Sequence, residues 1–91
     1  MLVRRFEQDG LIAGHLGDYG FVARLTQGPV YYGLNRRTLY KGDGRIAQLR
    51  IWRFGREGNI ETLVLYDHGW HYGRMRHLRL VRRLVDALDG R

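Results

Sequence analysis

The segment Gly44–Trp70, GRIAQLRIWRFGREGNIETLVLYDHGW, constrains the fold of this chain more than any other. In Arg45–Arg53, Ala47, Leu49 and Ile51 alternate with Gln48, Arg50 and Trp52, the two-residue period of a half-buried strand. Phe54–Asn59 then supplies two glycines and an asparagine, residues that tolerate the positive φ of a connection. Ile60–Tyr66 resumes with Leu63, Val64, Leu65 and Tyr66, apolar on both faces, which predicts a central strand covered on both sides. A β-hairpin follows, and the rest of the chain is expected to pack around it.

Upstream, Leu2–Phe6 and Leu11–Leu16 are candidate strands separated by the turn signal Gln8-Asp9-Gly10. Gly17–Gly20 reads as a second turn leading into Phe21–Thr26, so that Leu11–Thr26 forms a second hairpin. Pro29, the only proline, lacks the N–H that a ladder requires and closes that strand. Val30–Gly44 is the least regular part. Tyr31-Tyr32 can extend a strand, and Asn35–Gly44 reads as a long loop, a class that is often functional.

After Trp70 the period changes. Met75, Leu78, Val81, Leu84, Val85 and Leu88, widened by Leu80, follow the three- and four-residue steps of an amphipathic helix over about 74–88, with Gly90 as its stop. Arg76, Arg79, Arg82, Arg83 and Asp86 fall on the opposite face. The connections are too short for crossover units, so the strands are expected to be antiparallel. The expected fold is α+β: one domain over residues 1–91, a four- or five-stranded mostly antiparallel sheet over about 2–72, and one C-terminal helix packed on it. No internal repeat or low-complexity segment interrupts it.

With 44% hydrophobic and 12% aromatic residues the chain is expected to fold rather than remain disordered. Cysteine is absent, which excludes disulfides and thiolate metal sites and suits a reducing cytoplasm. No apolar run at the N-terminus reads as a signal peptide, and none approaches the roughly 18 residues of a membrane span. The expected location is the bacterial cytoplasm.

Chemistry-bearing motifs are few. His68 and His71 stand three apart, with His15 and His77 elsewhere; a zinc site usually takes three or four ligands, and here no cysteine can help. The chain also lacks serine, so an imidazole acting as general base has neither a serine nor a cysteine as nucleophile. Asp43 and Asp67 are isolated, and Asp67 is expected to support the turn at Gly69 through its side chain. No glycine loop opens a helix as a phosphate cradle. The expectation is a protein that is not an enzyme and uses no cofactor and no metal.

Charge is the positive signal. Sixteen basic residues, all arginine except Lys41, stand against nine acidic ones for a net +7. Arginine's planar fork suits phosphate and carboxylate recognition. Tyr32, Arg36, Arg37, Tyr40, Lys41 and Arg45 mix cations with aromatic rings, as binders of single-stranded nucleic acid do. Arg50 and Trp52, with Arg24, extend that set if they share one sheet face. Arg76, Arg79 and Arg83 repeat like charge at a spacing that weakly destabilises a free helix, which points to an anionic partner. The bland alternative is that the tyrosines are partly core and the arginines merely solvated.

The strings Gly44-Arg45-Ile46-x-x-Leu49-x-Ile51 and Tyr66-Asp67-x-Gly69-Trp70 resemble a group of small uncharacterised proteins of bacteriophages and other mobile elements. Those proteins place a G-R-I-x-x-L strand before a Y-D-x-G-W strand end and finish in a short helix. The resemblance covers about the C-terminal two thirds, and this chain departs from it in its arginine-rich helix and its basic Arg36–Lys41 segment. It implies an accessory role exerted by binding. The partner is expected to be nucleic acid or an acidic host protein or nucleoprotein complex, and not a membrane. The alternative is a stoichiometric inhibitor of a host defence system, of anti-CRISPR or anti-restriction type.

Overall fold

The computed structural model describes Leu2–Asp89, apart from the side chain of Arg56. Six strands, β1 (Leu2–Gln8), β2 (Leu11–Leu16), β3 (Tyr19–Val30), β4 (Gly44–Phe54), β5 (Ile60–Asp67) and β6 (Trp70–Tyr72), form one antiparallel sheet in sequential order. One helix, α1 (Leu78–Asp89), follows. The α+β class and antiparallel order agree with the sequence. The strand count exceeds the expected four or five, because the short ladder of β6 pairs Tyr66 with Trp70 and Leu65 with Tyr72.

Local chemistry explains the connections. Asp9 and Gly10 both adopt positive φ (53° and 83°) between β1 and β2, the conformation of a two-residue hairpin turn. β3 begins at Tyr19, two residues before the alternation starts at Phe21. It also runs on to Val30, past Pro29. The proline is accommodated because its ladder with β4 is interrupted between Leu25 and Val30, where no N–H is demanded of it. Tyr31 and Tyr32 form a turn and do not extend the strand.

Alternation decides which residues meet the helix. Phe21, Ala23, Leu49, Ile51, Val64 and Tyr66 are buried on one face, where Val81, Leu84, Val85 and Leu88 of α1 pack against them. Each such aliphatic side chain stabilises the fold by roughly 1.5–3 kcal/mol relative to exposure. A free 12-residue helix is marginal in water, so this packing holds α1 in place.

Two expectations are corrected. The helix starts at Leu78, not near Arg74. Residues 74–77 make a single turn closed by the His77 N–H donating to Gly73 O at 3.0 Å, and Met75 projects outward at 74% exposure. β5 is also not covered on both sides: Leu65 lies half-buried on the helix-free face while Val64 and Tyr66 are sealed beneath α1. The glycine stop expected at Gly90 lies outside the described residues. No helix among the described residues is long and apolar enough to cross a membrane.

Candidate nucleic-acid interface

Residues 31–43, between β3 and β4, form an ordered loop folded against the start of α1. Leu34 is fully buried and bridges both Lys41 and Ile46. Asn35 organises the next turn. Its Oδ1 accepts from the N–H groups of Arg37 and Thr38 at 2.8 and 3.0 Å, and its Nδ2 donates to Gly42 O at 2.9 Å. This is an asparagine satisfying a tight turn from its own side chain. The loop also enters β4 at a close approach, because a Cβ on Gly44 would lie 1.9 Å from Leu34 O.

Leu39 is the loop's buried anchor. It is 1% exposed and stands at φ 60°, a left-handed conformation that a leucine adopts only when its surroundings impose it. The Nε1–H of Trp70 and the Nε–H of Arg74 both donate to its carbonyl, at 2.8 and 2.9 Å. At the loop's other end the hydroxyl of Tyr66 donates to Tyr32 O at 2.8 Å. Tyr66 is fully buried, and burial pushes its pKa up to about 12. Two residues of the Y-D-x-G-W string thus hold the loop from beneath the sheet. Asp67 does not support the turn with its side chain as expected: its backbone N–H donates to Gly69 O, while its carboxylate accepts from Gln48.

Against this loop α1 and the turn before it present arginines. Arg82 donates to Arg36 O and Arg37 O, and Arg74 lies over the Tyr40 ring with its guanidinium carbon 3.6 Å from the centroid. Asp86 is the nearby acid, 4.0 Å from Arg36 and 3.7 Å from Arg82. Arg37, Arg79 and Arg83 make no ion pair among the described residues. A groove of about 450 Å³ runs between loop and helix, with Leu39 and Leu78 lining it and Arg74, Arg79, Arg82 and Arg83 along it. The cations stand on fixed supports beside an apolar floor, an arrangement suited to a phosphate backbone or a run of carboxylates.

The expected site residues therefore divide. Arg36, Arg37, Tyr40, Arg79 and Arg83 come together, joined by Arg74 and Arg82. Neither of those two stands out in the sequence as a site residue, because the loop carbonyls they bind lie some 35–46 residues away. Tyr32 packs against His68, with centroids 4.2 Å apart and ring planes tilted by 48°, and Lys41 sits 6.0 Å from the centroid of Tyr31. Arg45 is engaged in the fold, donating to Thr26 O and pairing with Asp89 at 3.4 Å. Arg76 precedes the helix and lines a separate hollow with Arg53, Glu61 and His77, so it does not continue the Arg79–Arg83 stripe. Arg50 and Trp52 do share one face of the sheet with Arg24, but it is the helix-free face, away from the loop–helix cluster.

Among the described residues no three His, Asp or Glu side chains converge as metal ligands. The chain has no match among known protein families, curated proteins or solved structures.

Proposed function

We propose that this protein is a non-enzymatic accessory protein, of the kind phages and mobile elements carry into the bacterial cytoplasm, and that it binds nucleic acid or a nucleoprotein complex through the loop–helix arginine surface. One observation carries the reading. Arg36, Arg37, Arg74, Arg79, Arg82 and Arg83 are gathered on the loop, the 74–77 turn and α1, which brace one another, with Asp86 as their acidic neighbour. Like charges held this close oppose folding unless an anion neutralises them, and a phosphate backbone supplies regularly spaced anions.

The test is binding to labelled single- and double-stranded DNA and RNA between about 50 and 200 mM salt, where phosphate-dominated affinity falls steeply. The double variant Arg79→Glu/Arg83→Glu is expected to weaken binding to every sequence and to lower the salt slope by about one for each phosphate no longer neutralised. Unchanged affinity and slope in that variant would remove the surface from the reading. A complex with a host protein that survives nuclease treatment would favour the defence-inhibitor alternative.

A further inference from the structure

The helix-free face of the sheet carries a second constellation. Cross-strand pairing sets Phe6, Ala13, Val22, Arg50, Leu65 and Tyr72 in one row across all six strands. Beside this row lies a hollow of about 190 Å³ with Leu11, Val22 and Leu65 around it and Arg24 and Arg50 at its rim. That volume is below the roughly 300–1,000 Å³ of sites for whole small molecules. It matches a single inserted side chain.

We propose that this face docks a protein segment that inserts one aliphatic side chain between Arg24 and Arg50 and flanks it with carboxylates. Charge complementarity selects this occupant. Among the described residues neither Arg24 nor Arg50 makes an ion pair; Arg50 donates to the Thr62 hydroxyl at 3.1 Å and lies over the Trp52 ring. The one carboxylate at the hollow, Asp67, accepts from Gln48 at 3.1 Å. A second copy is disfavoured, because a two-fold contact through this face would bring its arginines toward their own symmetry mates.

The ring near the centre of the face also suits a protein partner. The Trp52 indole lies over Gly20, where a Cβ would come within 2.4 Å of the ring, and the Arg50 guanidinium sits 5.5 Å from its ring centroid. A tryptophan beside an arginine is a frequent anchor in protein interfaces. The pair is displayed on the side of the sheet away from α1, so this surface is separable from the arginine groove.

The experiment is a ¹H–¹⁵N NMR titration of the full chain with the blocked peptide Asp-Glu-Leu-Glu-Asp, alongside versions with central Ala and with Lys replacing every acid. Saturable shifts at Ala13, Val22, Arg24, Arg50 and Leu65 are expected, weakened roughly tenfold by the central Ala and abolished by the Lys version. Arg24→Glu and Arg50→Glu, both at exposed positions, are expected to remove the response while leaving the remaining spectrum and the nucleic-acid affinity intact. Shifts confined to the loop–helix side, equal binding of the central-Ala peptide, or displacement of the peptide from this face by oligo(dT) would each overturn the proposal. Loss of nucleic-acid binding in Arg79→Glu/Arg83→Glu with peptide binding retained would confirm that the two surfaces are independent.

Discussion

The indole Nε1–H of Trp70 donates to the carbonyl of Leu39 at 2.8 Å, tying the last strand of the sheet to the buried residue of the basic loop 31 positions earlier. Arg74 donates to the same oxygen, so one carbonyl is shared by a structural donor and a cation of the proposed binding surface. The loop's conformation, and with it the placement of Arg36 and Arg37, depends on that junction.

Trp70→Phe keeps an aromatic ring at the site but removes the donor along with part of the indole's packing. Stability is expected to fall by about 1–2 kcal/mol in urea denaturation. Nucleic-acid affinity is expected to fall as well, although the charge is unchanged. Normal stability with normal affinity would show that Arg74 alone suffices to hold Leu39.

Arg82 and Arg79 lie three apart on α1 but have different surroundings. Arg82 donates to two loop carbonyls, whereas Arg79 borders the groove. Arg82→Ala is expected to reduce both thermal stability and binding. Arg79→Ala is expected to reduce binding alone, within about 0.5 kcal/mol of parental stability, as for ordinary surface changes. Thermal unfolding beside the binding series separates the two roles.

Tyr66 predicts an alkaline transition. Burial pushes its pKa from 10.0 to about 12, so the folded value exceeds the unfolded one. The stability that the neutral phenol contributes is complete below the unfolded value and is lost as pH rises through the folded one. That loss amounts to roughly 2–3 kcal/mol. Urea midpoints measured across this range are expected to drop, and Tyr66→Phe is expected to flatten the drop. At neutral pH the same variant is expected to be about 1–2 kcal/mol less stable, because Tyr32 O loses its donor.

Gly44→Ala tests the entry into β4. A Cβ there meets backbone atoms, with Leu34 O at 1.9 Å and Leu34 C at 2.2 Å, so no side-chain rearrangement can relieve it. The variant is expected to be destabilised by at least about 3 kcal/mol, in the range of overpacking that must displace backbone. A melting temperature near the parental value would mean that the loop slides at no cost.

Much of the fold is legible in the amino-acid pattern. Alternation across Ala47–Trp52, the Asp9-Gly10 turn and the 3.6-residue stripe from Val81 to Leu88 specify the hairpins, the antiparallel order and the helix, because each depends on neighbours within one element. The β6 ladder is not legible, because two bonded pairs leave no periodic trace. Met75 satisfies helical spacing without joining the helix: it lies in the turn that follows Gly73, at φ 94°, and leads into α1, and its side chain is exposed.

Taken alone, the sequence determined that the chain is basic, that its cations are almost all arginine, and that its elements are strands followed by one helix. Only the tertiary structure decided which arginines act together. Arg82 meets Arg36 and Arg37, Arg45 turns to Asp89, and Arg50 takes the opposite face of the sheet. Those groupings come from contacts between residues more than forty positions apart and from the parity of one strand, and local propensity carries information about neither.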